Sequence, residues 1–487
     1  MKAISFAESC LHPDLFGDQF AGESWASWRV IDKAMFGQEL DETELATFTS
    51  LTGRHTAPTE RASEVWLIVG RRGGKDVKAA ALAVYLATIG VEIYGWRKKL
   101  SRGERGVVQL LAVDRDQAQV AFRYIAALFE KPVFRKTVKR QTADSIELTN
   151  GFAIEVTTAD QRRVRGRTVV CCIMDEVAFW RSENTVSPDV ETYNAIKPAT
   201  ATMPGAMIIG ISSPYSKRGL LWRQYQRHYG QDGNVLVVQA PTWVMNPTVP
   251  RDGDIISEAY ENEPEAAAAE YGAQFRNDVA GFIPFERVKA CVEEGAVERP
   301  FDHKHRYIAF ADPSGGVSDS FTLAIGHREG TRVILDAMRE YRAPFDPEAI
   351  TQAACQLLGQ YKLTSVFGDK YAAAWVAGAF GRYGVSYLHS ELNRSELYLA
   401  ALPMLMSGEC VLLDSDRLVN QFAALERRTG NSGKDSVDHI RGGKDDLANA
   451  VAGVLALADE AGPSREERQN WERLAEEAKE RRRGTII

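Results

Sequence analysis

Short apolar runs alternate with amphipathic segments through the first half of the chain. Five runs rich in β-branched and other apolar residues predict strands at 65–69, 107–113, 169–174, 207–211 and 235–238. Between them, the spacing of apolar positions predicts helices over 78–88 and 117–129. Strands that alternate with helices are typical of a parallel sheet covered by helices, so we predict an α/β domain here.

The pattern changes after Pro241 and again after Pro300. Turn-forming residues surround one acidic, Ala-rich helix predicted over 255–275, which indicates a connecting segment. The second pattern predicts strands at 307–311, 321–326, 333–336 and 365–368, and helices over 347–361 and 445–459. We therefore predict domains at 1–245 and 301–461, a connecting segment at 246–300 and a charged tail at 462–487 that is either a solvated helix or a disordered arm.

Composition sets outer limits on this organisation. The 487 residues are 45% hydrophobic and 26% charged, which excludes a single small domain and a disordered chain. The net charge of −7 means that nucleic acid would have to bind local basic patches, for which 97–105, 135–140 and 162–167 are candidates. Six cysteines without a CxxC pair, and no apolar run near the roughly 20 residues of a membrane span, predict a protein of a reducing cytoplasm without membrane contact.

A glycine-rich segment lies between the first strand and the following helix. It reads Gly70, Arg71, Arg72, Gly73, Gly74, Lys75, Asp76. Backbone N–H groups at a helix N-terminus bind phosphates, and Lys75 is placed to reach the β- and γ-phosphate oxygens. The loop is irregular, because Val69 replaces the usual first glycine and Asp76 replaces the Ser or Thr that holds Mg²⁺. A carboxylate at 76 either ligates the metal or repels the phosphates.

The strand at 169–174 ends in two adjacent carboxylates. Asp175 is placed to hold Mg²⁺ through water, and Glu176 to orient the attacking water. The order and separation of the two motifs predict ATP binding and hydrolysis. Ser212 and Ser213 end the next strand, where they would sense the γ-phosphate or form an ordinary turn.

Two further groups near these motifs have alternative interpretations. Arg162, Arg163 and Arg165 offer an arginine finger, a grip on DNA phosphates or an exposed basic loop. Trp25 and Trp28 would stack on adenine or belong to the core.

Acidic residues recur at element ends in the second domain. Asp312 and Asp369 end two strands, and Asp445 and Asp446 start the last helix. Carboxylates from such positions can converge, and they suit two Mg²⁺ or Mn²⁺ ions that cleave a phosphodiester. Each alone is an ordinary turn or cap residue, but the set predicts a nuclease. Asp319 and His439 are weaker candidates.

The combined motifs resemble the large terminase subunit of tailed bacteriophages. The resemblance covers about residues 16–457 and rests chiefly on the segments Gly70–Lys75 and 445–450. It implies an N-terminal P-loop ATPase of the ASCE type joined to a ribonuclease H-like nuclease of mixed sheet. At Asp76 the family usually has Ser or Thr, and at Lys444 often His.

The resemblance also implies roles and partners. Lys75 would bind phosphate, Asp175 Mg²⁺, and Glu176 would be the catalytic carboxylate, with Arg162, Arg163 or Arg165 as the finger. The nuclease metals would be held by the four aspartates above, with the choice between Asp445 and Asp446 open. The implied activity is an ATP-driven motor that packages double-stranded DNA and cuts it, working in the bacterial host cytoplasm as a ring with a portal protein and a small terminase subunit.

Three alternatives remain at this point. One is a helicase-like remodelling ATPase whose second domain is structural. Another is a resolvase- or transposase-like nuclease with a degenerate nucleotide site, for which Asp76 is the main support. The last is a structural capsid or portal adaptor in which both acidic sets are solvated turns.

Overall fold

The structure is a computed structural model of the chain. It describes residues 4–159, 166–180, 187–317, 319–369, 374–429, 435–439 and 443–460. The described chain forms two compact units that divide between Asp278 and Val279. The predicted connecting segment 246–300 therefore contributes to both units.

The first unit is built on an eight-stranded sheet with the order β3-β4-β5-β2-β6-β7-β1-β8. Its strands are β1 (Glu64–Val69), β2 (Gly106–Ala112), β3 (Val138–Gln141), β4 (Ser145–Leu148), β5 (Phe152–Thr158), β6 (Thr168–Asp175), β7 (Met207–Ser212) and β8 (Val235–Ala240). From β5 to β8 all pairings are parallel, and β3 and β4 add an antiparallel edge. The predicted parallel sheet is thus confirmed.

Helices cover both faces of this sheet. They are α1 (Phe6–Ser9), α2 (Asp18–Phe20), α3 (Ala26–Met35), α4 (Glu42–Thr52), α5 (Lys75–Tyr85), α6 (Val91–Ile93), α7 (Arg115–Leu128), α8 (Pro132–Arg135), α9 (Pro188–Thr200), α10 (Gly219–His228), α11 (Thr242–Met245), α12 (Asp254–Asn262) and α13 (Pro264–Glu270). Every residue of β1 is buried, because apolar side chains on both of its faces pack beneath helices. Strand β7 separates β1 from β6, which is the strand arrangement of ASCE-type ATPases.

The second unit contains a six-stranded mixed sheet and a small three-stranded sheet. Its strands are β9 (Val279–Gly281), β10 (Tyr307–Asp312), β11 (Phe321–Glu329), β12 (Arg332–Tyr341), β13 (Ser365–Gly368), β14 (Ser386–His389), β15 (Cys410–Val411), β16 (Glu426–Thr429) and β17 (Asp435–Asp438). The large sheet has the order β14-β13-β10-β11-β12-β15. An antiparallel trio β10–β12 followed by β13 and β14 parallel to β10 is the ribonuclease H-like topology, as predicted.

The helices of the second unit are α14 (Phe285–Ala290), α15 (Pro347–Gln360), α16 (Ala374–Arg382), α17 (Arg394–Ser407), α18 (Asp416–Ala424) and α19 (Asp446–Glu460). Helix α19 packs on β10 and β11. The approach is close at Gly453, where an added Cβ would lie 2.2 Å from the ring of Phe310. This contact holds the start of α19 near the end of β10.

Some elements differ from the sequence predictions. The single helix predicted over 255–275 is wrong, since α12 ends at Asn262 and Pro264 starts α13. Proline has no N–H to continue the helical hydrogen bonds, so a new helix begins there. The antiparallel edge 138–148, strand β5 and strands β14–β17 were not predicted. Among the described residues, every helix is too short or too polar to cross a lipid bilayer.

Candidate functional site

The loop between β1 and α5 has an unusual backbone. Gly74, immediately before the helix, has φ 87°, and Arg72 has φ 67°, a left-handed conformation that is rare outside glycine. An added Cβ on Gly70 would lie 2.4 Å from Oγ1 of Thr242, so only glycine fits there. Strain of this kind is typical of functional loops.

Side chains from other elements bind the carbonyls of the loop. Nε1 of Trp28 donates to the carbonyl of Gly73 at 2.8 Å. Oγ1 of Thr242 donates to the carbonyl of Arg71 at 2.8 Å, and Nδ2 of Asn246 donates to that of Arg72 at 3.0 Å. These bonds fix the loop in its tight conformation.

The two tryptophans lie beneath the loop. Trp28 is 1% exposed, so it belongs to the core and is not available to stack on a nucleotide. An added Cβ on Gly74 would lie 2.8 Å from the ring of Trp25, which also packs edge-on against Phe20. The core alternative for Trp28 is therefore correct.

Lys75 and Glu176 form an ion pair at the carboxyl edge of the sheet. Nζ of Lys75 lies 2.9 Å from Oε1 of Glu176, and Lys75 is buried. Glu176 follows β6 in the left-handed region, with φ 48°. Its Oε2 accepts hydrogen bonds from the hydroxyl of Ser212 at 3.0 Å and from the N–H of Ser213 at 3.3 Å. Strands β1, β6 and β7 thus bring together three of the predicted motifs.

Asp175 and Asp76 lie on either side of this ion pair. Asp175 is 4% exposed, and its Oδ1 has no hydrogen-bond partner among the described residues. The same holds for Oδ1 of Asp76, which lies 4.0 Å from Nζ of Lys75. Burial and the neighbouring carboxylates Asp76 and Glu176 raise the pKa of Asp175 well above its usual value.

The charges of this cluster do not balance. Burial lowers the pKa of Lys75, but the carboxylates of Glu176, Asp76 and Asp175 outweigh it and the net direction is upward. Burial also raises the pKa of Asp76. Buried, unpaired carboxylate oxygens are the donors that Mg²⁺ prefers, so Asp76 and Asp175 fit a magnesium ion.

In the second unit Asp312 ends β10 and faces α19. Nδ2 of Asn449 donates to Oδ2 of Asp312 at 2.8 Å. Burial raises the pKa of Asp312 to about 7, with Asp446 and Asp445 adding to the rise. Asp446 and Asn449 lie three positions apart and therefore share a face of α19. Oδ2 of Asp446 and Oδ1 of Asn449 are buried without a hydrogen-bond partner among the described residues.

Asp445 has a different environment from Asp446. Its carboxylate accepts a hydrogen bond from the hydroxyl of Tyr398 at 2.8 Å, and Nη1 of Arg394 lies 3.4 Å away. Nδ1 of His439 lies 3.3 Å from it. Burial raises the pKa of Asp445, but His439, Arg394 and Tyr398 outweigh it and the pKa lies below its usual value. The protein itself thus neutralises Asp445, whereas Asp446 retains a free oxygen for a metal.

Asp369 follows β13, which lies beside β10 in the sheet. Its backbone carbonyl accepts a hydrogen bond from the hydroxyl of Tyr387 at 3.4 Å. Burial raises the pKa of Tyr387, and Asp312 and Asp369 add to the rise, so both carboxylates lie near this tyrosine. Asp319 pairs at 3.6 Å with Lys444.

One three-residue group among the described residues has metal-ligand spacing. Asp438, His439 and Asp445 offer ligand atoms within 4.8 Å of one another. The Arg394 guanidinium lies 3.8 Å from Asp438 and 3.4 Å from Asp445. Because this cation already occupies their surroundings, the group is better described as an ion-pair network.

Comparison with known proteins identifies the first unit. Residues 42–273 match the family model described as "Uncharacterized protein MJ0330, N-terminal P-loop domain". The chain contains an N-terminal P-loop domain. A search of curated proteins found no match.

Solved structures similar in fold include large terminases, the family that the sequence motifs resemble. The HK97 bacteriophage large terminase has 15% identity and a TM-score of 0.37, over 89% of this chain and 99% of that chain. For the large terminase of a thermophilic bacteriophage the values are 11%, 0.37, 86% and 99%. The large terminase nuclease of thermophilic phage G20c, solved with bound magnesium, has 14% identity and a TM-score of 0.31, over 35% of this chain and 95% of that chain.

Several predicted residues lie outside the described part of the chain. These are the finger candidates Arg162, Arg163 and Arg165 of the P-loop domain, and the tail 462–487. The nearby Arg167 is described, and it pairs with Glu155 on the neighbouring strand β5.

Sequence reasoning also missed contributors to both sites. In the P-loop domain these are Thr242 and Asn246, which bind the loop from a distant segment. In the second unit they are Arg394, Tyr398 and Asn449. Only Asn449 had a usable signal, its position one helical turn beyond Asp446.

Proposed function

We propose that this chain is a large terminase subunit, an ATP-driven motor that translocates double-stranded DNA into a prohead and cuts it with a metal-dependent nuclease. The observation that carries the proposal is the pairing of Lys75 with Glu176 beside two unpaired, buried carboxylate oxygens. This is the equipment for phosphoryl transfer to water, and it accompanies a second carboxylate cluster on the same chain.

In the ATPase reaction the P-loop backbone and Lys75 would bind the β- and γ-phosphates. Release of Glu176 from Lys75 would leave its carboxylate to orient the attacking water and accept its proton. Asp76 and Asp175 would hold Mg²⁺, which supplies neutralisation of the charge on the phosphates. Ser212, bonded to Glu176, would link the state of this carboxylate to strand β7.

In the nuclease reaction Asp312, Asp369 and Asp446 would hold two Mg²⁺ or Mn²⁺ ions, which activate water and stabilise the leaving oxygen. Asn449 would orient Asp312 through its 2.8 Å hydrogen bond. Asp445 would act as a positioning residue, because Arg394, Tyr398 and His439 already satisfy it. This assignment resolves the choice between Asp445 and Asp446.

The remaining parts of the proposal follow from the terminase resemblance. Arg162, Arg163 or Arg165 would supply the arginine finger. The basic stretches 97–105 and 135–140 would contact DNA phosphates, so that binding weakens steeply with salt. Assembly would be a homo-oligomeric ring with a portal protein and a small terminase subunit in the bacterial host cytoplasm.

The test measures cleavage of supercoiled plasmid and ATP hydrolysis in the same tubes, with Mg²⁺ or Mn²⁺. We expect Lys75→Ala to abolish ATP turnover and spare cutting, and Asp369→Ala to do the reverse. Asp416→Ala removes an exposed aspartate from the first turn of α18 and should change neither activity. If ATP turnover survives in Lys75→Ala, the nucleotide site is wrongly assigned. If wild-type protein cuts no DNA with either metal, the chain is better described as a remodelling ATPase with a structural second unit.

A further inference from the structure

The P-loop carries a carboxylate where such loops usually carry a hydroxyl. Asp76 lies in the first turn of α5, directly after Lys75. Its Oδ1 is buried and has no hydrogen-bond partner among the described residues. A Ser or Thr hydroxyl at this position is neutral, so it adds no charge to the site before a nucleotide binds.

Asp76 is not alone in lacking a partner. Asp175, at the end of β6, is only 4% exposed, and its Oδ1 is also unpaired among the described residues. The two carboxylates interact electrostatically, and each is further repelled by Glu176. Two unpaired acidic oxygens therefore flank the position where a phosphate must arrive.

The nearby cations do not neutralise this pair. Lys75 contacts Glu176 at 2.9 Å and lies 4.0 Å from Asp76. Arg72 also attracts Asp76, but its side chain is on the exposed side of the loop. Three carboxylates thus face one buried ammonium group. A polyphosphate entering this site would meet uncompensated negative charge unless a cation were already present.

We infer that a divalent cation binds directly to Asp76 and Asp175 before the nucleotide, so that the metal is a preloaded part of the ATPase site. This inference rests on the proposed nucleotide site and adds the order of binding. In loops with Ser or Thr, the nucleotide phosphates provide most of the negative charge that attracts the metal. Here the protein provides it, and ATP then binds to the metal-loaded site.

The experiment maps metal positions on the full-length protein without nucleotide. Fe²⁺ replaces Mg²⁺, and ascorbate with hydrogen peroxide generates radicals that cut the backbone beside the bound ion. Mass spectrometry of the fragments locates the cuts. We expect cuts beside residues 70–76 and beside Asp175, and we expect excess Mg²⁺ to suppress them. Cuts beside Asp312 and Asp446 report the nuclease site in the same sample.

Two variants test the role of the carboxylate. Asp76→Ser supplies the usual hydroxyl, and Asp76→Asn keeps the shape without the charge. Each should raise the Fe²⁺ concentration needed for cutting beside Asp175 by about tenfold or more, as expected for loss of a metal-site group. Asp116→Ser, which removes an exposed aspartate from the first turn of α7, should leave the cuts unchanged. Cuts at the nuclease site show that each variant is folded.

The outcomes separate this inference from the proposed function. Cuts beside residues 70–76 that appear only after a non-hydrolysable ATP analogue is added would overturn metal-first binding and leave the ATPase assignment standing. Cuts that persist at the same Fe²⁺ concentration in both Asp76 variants would overturn the role of Asp76. Absence of these cuts with the analogue present, together with absence of ATP hydrolysis, would overturn the nucleotide site itself.

Discussion

Lys75 and Glu176, which are far apart in the sequence, form a 2.9 Å ion pair between the P-loop and the end of β6. The lysine that would bind phosphate is therefore held by the carboxylate that would orient water. A nucleotide must displace Glu176 from Lys75, and this displacement frees Glu176 for its own role. Binding and activation are coupled through one contact.

The Glu176→Gln variant tests this coupling. We expect ATP hydrolysis to fall by about 100-fold or more, because the amide cannot accept the proton of the attacking water. We expect nucleotide affinity to be unchanged or higher, because Lys75 no longer has to leave a carboxylate. Hydrolysis assays and titration with a fluorescent ATP analogue measure the two effects. Lys75→Ala is the reference that loses affinity. A loss of affinity in Glu176→Gln as large as in Lys75→Ala would contradict the coupling.

Trp28→Phe tests the support beneath the P-loop. The change removes the bond from Nε1 to the carbonyl of Gly73 and should lower the free energy of unfolding by about 1 kcal/mol. It should also weaken nucleotide binding several-fold, because the loop is less well held. Trp96→Phe is the matched control, since its buried indole donates at 2.8 Å to the carbonyl of Pro204 at another place in the unit. Both variants should lose stability, and equal losses of nucleotide affinity would argue against a specific role of Trp28.

Asp445 and Asp446 should respond differently to removal. Asp445→Ala leaves Arg394 and Tyr398 without their acceptor, so we expect the free energy of unfolding to fall by about 2–3 kcal/mol. Asp446→Ala removes a repelled carboxylate, so stability should change by less than about 1 kcal/mol while metal-dependent plasmid cutting is lost. Urea unfolding and the plasmid assay separate the two effects. Similar destabilisation in both variants would show that the environments are not distinct.

The stability of the metal-free protein should depend on pH through Asp312. Burial raises its pKa from 3.8 to about 7 in the folded state, so the folded protein keeps a proton that the unfolded chain releases. Stability should therefore fall as pH rises from about 4 to about 7 and then level off. Asp312→Asn should remove this part of the slope and be more stable than wild type at pH 8 in chelator. Urea midpoints across this range provide the measurement, and identical slopes for both proteins would refute the expectation.

The parallel core of the first unit was predictable because its strands are continuous apolar runs buried on both faces. The antiparallel edge was not, since β3 consists of Val138 and three polar residues, and its side chains are half-buried or exposed. The break between α12 and α13 was also missed, although Pro264 is a sufficient physical reason for it. Local patterns report burial and backbone chemistry well, but edge strands depend on partners that are distant in sequence.

The candidate sites show the same division. Lys75, Asp175 and Glu176 stand at ends of predicted strands or helices, where topology alone brings side chains together. The engagement of Asp445 by Arg394 depends on two helices meeting in space, and nothing local to either residue indicates it. Residues that act through another side chain are therefore the ones that sequence reasoning leaves out.

The buried ion pair between Asp32 and Lys78 bears on how much of the chain the ATPase needs. Nζ of Lys78, one turn beyond Lys75 on α5, lies 2.5 Å from Oδ2 of Asp32, and both residues are buried. Asp32 and Trp28 lie on α3, before residue 42, where the match to the P-loop family model begins. A fragment trimmed to the matched segment would leave a lysine charge stranded in an apolar interior and the phosphate loop without its indole donor. The smallest working ATPase is therefore larger than the segment that the family model matches.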